Sequence, residues 1–280
     1  LALDITHNQS WAVFGELRLQ GEESAPPLRV RGKLEHPEAG LLTWHDSFIH
    51  FNDSAVMAID GECNNQQCET GIDAMNVDLK TWFPLLPEGV SFHKQISGLT
   101  DLNAHIQWNE KDWESSAAFR LKDASYHYQD NQYQLPEIEL QSEELRGNKN
   151  SWFAKAILTS PDAKGEMAIT SSQQRSGSKD MQINANQVDA PLWQPLANLL
   201  LTSLQILPRL EAEGEISGLI QLQQQTKGKT LSLDLDATKA DLSYPLQFKK
   251  PENVPAKCKA EISRPNHHRT HDHVTLQSRP

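Results

Sequence analysis

Leu231-Ser232-Leu233-Asp234-Leu235-Asp236-Ala237 sets an apolar side chain at every second position. Successive side chains of a strand point to opposite faces, so this stretch predicts a strand with one apolar and one polar face. The same alternation runs through Leu28-Arg29-Val30-Arg31-Gly32-Lys33-Leu34 and Leu102-Asn103-Ala104-His105-Ile106-Gln107-Trp108. Weaker versions occur at residues 16–21, 48–51, 117–121 (with Phe119 and Leu121), 138–140, 154–158, 166–170, 181–185 and 220–222 (with Ile220 and Leu222). Clusters of Gly, Asn, Asp, Ser or Pro separate them. Helices do not alternate with these strands, which excludes a doubly wound α/β fold and predicts an all-β, antiparallel sheet.

The chain also repeats itself. Ile72-Asp73-Ala74-Met75-Asn76-Val77-Asp78 returns as Ile183-Asn184-Ala185-Asn186-Gln187-Val188-Asp189, each followed by a tryptophan (Trp82, Trp193) and a Pro-Leu pair (Pro84-Leu85, Pro195-Leu196). Ile96-Ser97-Gly98-Leu99 is matched by Ile216-Ser217-Gly218-Leu219, and Asp123-Ala124-Ser125-Tyr126 more loosely by Asp241-Leu242-Ser243-Tyr244. The order is the same both times, so a unit of roughly 110 to 120 residues is expected, extending one elongated sheet by addition. The expected division is 1–70, continuing from an upstream part of a longer parent; 71–182, a first unit; 183–262, a second; and 263–280, a His-rich disordered tail.

One interval changes period. Trp193, Leu196, Leu200, Leu204 and Leu207 fall three or four apart, with Asn198, Ser203 and Gln205 off that stripe, which predicts an amphipathic helix near 192–207. Its counterpart after Trp82 is cut to a turn by Pro84 and Pro87. The stripe reads as packing on the sheet; contact with lipid headgroups is the alternative, although residues 192–208 carry no Lys or Arg to hold an anionic surface.

Composition narrows the classes. Lys and Arg number 26 against 37 Asp and Glu, a net charge of −11, so nothing favours a nucleic-acid partner. No window approaches the roughly 18 apolar residues of a membrane-spanning helix, and Leu1 opens no signal peptide, so the chain reads as an internal piece of a longer protein. Of three cysteines, Cys63 and Cys68 enclose Asn64-Asn65-Gln66-Gln67, which is turn chemistry between two strand-like runs. A disulfide across a hairpin tip in an oxidising compartment is expected, two free thiols being the alternative.

Catalytic patterns are missing: there is no G-x-S-x-G and no H-E-x-x-H. Gly228-Lys229-Thr230 imitates the end of a phosphate loop, but Gln223 stands where its first glycine belongs and a strand follows where a helix is required. Asp234 and Asp236 read as the wet face of a strand, and His267, His268, His271 and His273 as a tail rather than a metal site. The chain is therefore expected to be no enzyme and to use no cofactor or metal. What remains is the apolar face, since large contiguous apolar patches are rarely left in water. Its candidate lining is Leu28, Val30, Leu102, Ala104, Ile106, Phe119, Leu121, Ile220, Leu222, Leu231, Leu233 and Leu235. Aliphatic walls without buried ions are what an acyl chain needs.

Leu231 to Ala237, then Ala240-Asp241-Leu242-Ser243-Tyr244-Pro245, then Lys249-Lys250-Pro251-Glu252-Asn253-Val254-Pro255-Ala256 resembles a succession found in AsmA-like proteins, particularly the YhdP-type branch. The segments Val77 to Leu85 and Val188 to Leu196, each followed by Ile-Ser-Gly-Leu, are similar to that family's repeat. The resemblance covers residues 71–256 and departs at Asn253, where the family carries Gly, and after Ile262. It implies a bacterial periplasmic protein anchored in the inner membrane by an N-terminal helix lying outside this sequence. Its sheet would be curled into a groove of the β-taco kind, with one or two short helices, and phospholipid acyl chains would pass along it toward the outer membrane. The family supplies no catalytic residue and no cofactor. An envelope or outer-membrane protein partner is left open, and the alternative function is a structural scaffold or assembly factor of the same envelope.

Overall fold

The computed structural model describes residues 9–17, 28–38, 40–51, 54–81, 96–128, 131–203, 210–225, 228–244, 248–265 and 273–279. Strands β1 (Gln9–Leu17), β2 (Leu28–Glu38), β3 (Leu41–Phe51), β4 (Ser54–Cys63), β5 (Cys68–Asp78) and β6 (Ile96–Trp108) pair antiparallel in sequence order. β7 (Asp112–Tyr128) follows through a turn in which Asn109 N–H donates to Asp112 O at 2.9 Å, and β8 (Asn131–Gln134) pairs with the end of β7. β9 (Ile138–Asn148), β10 (Trp152–Ser160), β11 (Ala163–Gln173), β12 (Lys179–Asp189) and β13 (Glu211–Gln225) form a second antiparallel series, interrupted between β12 and β13 by helix α1 (Ala190–Ser203). β14 (Gly228–Asp236) takes the second half of β13. β15 (Ala240–Tyr244) takes the first half and pairs in turn with β16 (Phe248–Lys250). β17 (Lys257–Pro265) returns to β14, and β18 (His273–Arg279) pairs with β17. The fold is all-β and antiparallel with a single α-helix among the described residues, as the alternation predicts.

The chain forms two compact units, Leu1–Lys122 and Asp123–Pro280, the boundary falling inside β7. The expected divisions fall at 70 and 182. Those positions lie inside β5 and β12, each hydrogen-bonded to strands on both sides, so the chain does not separate there. Residues 273–279, expected as disordered tail, continue the ladder as β18, with Val274 opposite Ile262 and Leu276 opposite Ala260. His267, His268 and His271 lie outside the described residues.

Each unit contains the same backbone device. In the first, Ala74 pairs with Leu102 and Val77 with Thr100; in the second, Ala185 pairs with Gly218 and Val188 with Ile216. Two residues thus oppose one, a β-bulge, with Asn76 at φ 54° and Gln187 at φ 48°. The extra residue keeps alanine and valine on one face: Val77 is 5% and Val188 0% exposed. A short helix follows each time, a 3₁₀ turn Leu79–Thr81 or α1. Asp78 caps the first, its Oδ1 accepting from Lys80 N–H at 2.9 Å.

The letter-for-letter match Ile96–Leu99 and Ile216–Leu219 does not sit in equivalent register. Val77 faces Thr100 but Val188 faces Ile216, a displacement of four residues in the motif. An even shift leaves every side chain on its own face, which is why the repeat tolerates it. Gly98 and Gly218 still share an unusual backbone, φ 155° and 150°. At Gly218 a Cβ would stand 2.3 Å from Asp234 O, so only glycine lets β14 close on β13.

Helix α1 begins at Ala190, two residues before the expected start, and packs against β11, β12 and β13. Leu192 is fully buried and Trp193 is 7% exposed. Asn198, expected on the polar side, is buried: its Nδ2 donates to Leu210 O at 3.0 Å and its Oδ1 accepts from Leu210 N–H at 3.0 Å. Gln194 Nε2 donates to the same carbonyl at 2.8 Å. A side-chain amide that satisfies both main-chain groups of one residue is read from periodicity as a polar position, but geometry makes it a core one. Trp82, Pro84, Pro87, Leu204 and Leu207 lie outside the described residues, as do the side chains of Leu196 and Leu200.

Candidate functional site

Residues directly opposite in an antiparallel ladder share a face, so the register assembles the site. In the second unit Leu158, Met167, Ala185, Gly218, Leu235 and Cys258 form one row across β10, β11, β12, β13, β14 and β17. Two residues along the strands, Ala156, Ile169, Ile183, Ile220 and Leu233 form a second. Ala154, Ser171, Met181, Leu222 and Leu231 form a third. No row contains a charged side chain. The helix end is the covered one, with Ala185 at 8% and Ser160 at 7%, whereas the leucines and isoleucines of the second and third rows are only half-buried.

The intervening positions are polar. Asn184, Leu219, Asp234 and Lys259 align, as do Gln182, Gln221, Ser232 and Glu261. Lys259 Nζ stands 2.7 Å from Asp234 and Lys257 Nζ 3.4 Å from Asp236. Exposed pairs of this kind contribute little stability; their consequence is that the ions stay off the apolar face. Leu219, 37% exposed, is an exception on the polar side, and its row continues through Asn184 to two more, Ala168 on β11 and Ile157 on β10.

The first unit carries its own apolar face. Ile59 and Ile72 pair, Ile72 pairs with Ala104, Ala74 with Leu102 and Thr70 with Ile106. Trp44 lies over Gly61, where a Cβ would come within 2.6 Å of the indole and 2.2 Å of Glu69 O. The indole Nε1 donates to Thr70 Oγ1 at 3.3 Å, that hydroxyl donates to Asp60 O at 2.9 Å, and Trp108 stands 6.5 Å away between ring centroids. On the other face His105 is exposed, Asn103 bonds Asp73, and Gln107 Nε2 donates to Glu69 at 3.2 Å.

Of the expected lining, Ile220, Leu222, Leu231, Leu233 and Leu235 are thus brought together in the second unit, and Leu102, Ala104 and Ile106 in the first. On β7, half-buried Phe119 and 9% exposed Leu121 alternate with exposed Ala118 and Arg120. Leu28 and Val30 take backbone places opposite Leu17 and Ile49; their side chains lie outside the described residues. Sequence reading missed Trp44, Ile59, Ile72, Met167, Ile169, Met181 and Ile183 as lining. Their strands show weak alternation, and only the register reveals that they continue the leucine rows.

Cys63 and Cys68 pair across the β4–β5 hairpin and are disulfide-bonded. Asn64 organises the turn, its N–H donating to Gln67 O and its Oδ1 accepting from the N–H groups of Gln66 and Gln67. Among the described residues no three His, Cys, Asp or Glu side chains group as metal ligands. Compared with known proteins, the chain matches no family model, no curated protein and no solved structure.

Proposed function

We propose that the chain is a periplasmic segment of an AsmA-like envelope protein, along whose apolar face phospholipid acyl chains pass between inner and outer membranes. The observation that carries this reading is the set of three ion-free rows in the second unit, whose leucines and isoleucines are half-buried. A face of that composition is disfavoured in water and suits a flexible hydrocarbon, which needs contact area rather than directional bonds. The disulfide is compatible with an oxidising compartment such as the periplasm. Asn253 stands where the resembling family carries glycine, and its φ of 61° is a conformation that glycine and asparagine share.

The test is native mass spectrometry of the protein purified without detergent. Co-purifying phospholipid, lost when Leu233 is replaced by Glu, is the expected result. A clean apo mass from wild-type protein in repeated preparations rejects the conduit and favours a scaffold whose apolar face is ordinary core.

A further inference from the structure

Where β12 begins, at the end of that strand away from α1, a cavity of about 370 Å³ opens on the polar face of the second unit. Three of its lining residues, Ser172 of β11, Asp180 of β12 and Gln223 of β13, stand directly opposite one another in the ladder. Each is one residue from the apolar row that runs through Ser171, Met181 and Leu222, so alternation turns all three to the other face. Gln174, Ser178 and Gln225, two residues farther along, extend the same lining. The β11–β12 turn holds them there, Gln174 N–H donating to Ser178 O at 3.0 Å and Gly177 N–H to Gln174 O at 2.8 Å.

The polar groups of this lining are uncommitted. Asp180 Oδ1 is buried with no hydrogen-bond partner, whereas Asp234 and Asp236, on the same face, are paired with Lys259 and Lys257. The side chains of Ser172, Gln174, Gln223 and Gln225 likewise make no hydrogen bond among the described residues. A buried acceptor without a donor is costly, so the occupant that suits the cavity is one that donates to Asp180. An anion is disfavoured by that carboxylate, the only acid in the lining; Lys179, the only base, borders the cavity from the alternate position of β12. A divalent cation uses acceptors alone, which leaves the N–H groups of three glutamines without a role and one carboxylate to balance the charge. A hydroxyl donates and accepts at once. A polyol therefore gives Asp180 its missing donor in a charge-assisted bond and meets the glutamine amides at both N–H and C=O. The volume lies at the low end of the ~300–1,000 Å³ of small-molecule sites, room for one sugar ring rather than for a peptide.

We propose that this cavity binds one ring of a neutral saccharide, Asp180 accepting from its hydroxyls and Ser172, Gln223 and Gln225 closing around them. The site lies on the face opposite the apolar rows, so it stands or falls independently of lipid occupancy there. Isothermal titration and saturation-transfer NMR of the full chain with the methyl glycosides of glucose, galactose, mannose and N-acetylglucosamine test it. At least one is expected to bind with a Kd of about 1 mM or tighter. Asp180→Asn should weaken that binding about tenfold, since a charge-assisted acceptor becomes a neutral one, and Gln223→Ala should weaken it as well. Asp234→Asn, on the same face but paired with Lys259, should leave it unchanged. Asp180→Asn should also melt no lower than wild type, because the buried carboxylate oxygen has no protein partner to lose; a lower melting temperature assigns Asp180 a structural role and overturns the proposal. So does the absence of binding by every glycoside at about 50 mM, or binding that both Asp180→Asn and Gln223→Ala leave untouched. Calcium chloride bound in place of any glycoside, and lost in Asp180→Asn, overturns the saccharide class.

Discussion

Asp101 closes the first bulge by accepting the main-chain N–H of Asn76 at 2.7 Å, the place that Ser217 takes in the second by accepting from Gln187 N–H at 3.0 Å. Lys122 completes the first site, 2.7 Å from Asp101 Oδ2 and 2.8 Å from Asn76 Oδ1. The bulge's unpaired N–H is thus satisfied twice by a side chain of the neighbouring strand, once charged and once neutral. The difference has a consequence in pH.

The Lys122 ammonium, and after it the Asn76 N–H, holds the Asp101 carboxyl below the usual carboxylate range. A depressed folded-state pKa contributes stability that is present above the unfolded value of about 3.9 and is lost as pH falls through the lower folded value. Acid should therefore loosen the first bulge before the second. Asp101→Ala is expected to cost roughly 1 to 2 kcal/mol at neutral pH and progressively less as pH falls through the lowered folded-state value, whereas Ser217→Ala should be nearly independent of pH. Amide exchange at Asn76 and Gln187, followed against pH, reads the two sites separately; identical acid profiles would dismiss the assignment.

Asn198 is the second test. Replacing it by Leu keeps the volume but strands the N–H of Leu210, while the C=O loses one of its two donors and keeps Gln194 Nε2 at 2.8 Å. About 2 kcal/mol should be lost, and Asn198→Asp should also lose stability because it sets a buried carboxylate against the Leu210 carbonyl. If urea midpoints of both variants match wild type, the clasp does not hold the end of α1.

The Cys63–Cys68 bridge closes a very small loop, so the chain-entropy estimate gives it about 2 kcal/mol. Peptide mapping without reductant should recover the linked pair, and reduction should lower the melting temperature of wild-type protein but not of the Cys63→Ser, Cys68→Ser double variant. Alkylation of Cys63 and Cys68, beside the free Cys258, in protein secreted to the periplasm would remove both the bridge and its argument for location.

Much of the fold was legible because alternation is local. Leu231, Leu233 and Leu235 declare a strand within seven residues, and the ladder places them where that pattern implies. The bulges were not legible, because Asn76 and Gln187 differ and the left-handed φ they share leaves no common residue type. Nor was the displacement of the Ile-Ser-Gly-Leu motif, since sequence matching aligns letters while hydrogen bonding aligns faces, and a shift of four preserves the faces. The apolar lining was half legible for a related reason: Met181 and Ile183 look unremarkable alone and join the leucines only through Leu222 and Ile220.

The last prediction separates a conduit from a core. Leu233 stands between Ile220 and Ala260 on the apolar face, and Asp234, one residue on, stands on the polar face beside Lys259. If the half-buried rows carry lipid, Leu233→Glu places a carboxylate among acyl chains, where an unpaired charge is strongly disfavoured, while the empty face leaves that carboxylate reachable by water. The variant should then stay folded, with a melting temperature within a few degrees of wild type, and should lose bound lipid. A photo-crosslinking side chain at 233 should capture phospholipid in cells, and the same probe at 234 should not. A dry core predicts the reverse pattern: Leu233→Glu unfolds the second unit outright, Asp234→Leu leaves folding nearly intact, and neither position captures lipid. Melting and crosslinking at these two adjacent residues therefore distinguish the readings within one strand, and unfolding at 233 with no captured lipid would end the conduit reading.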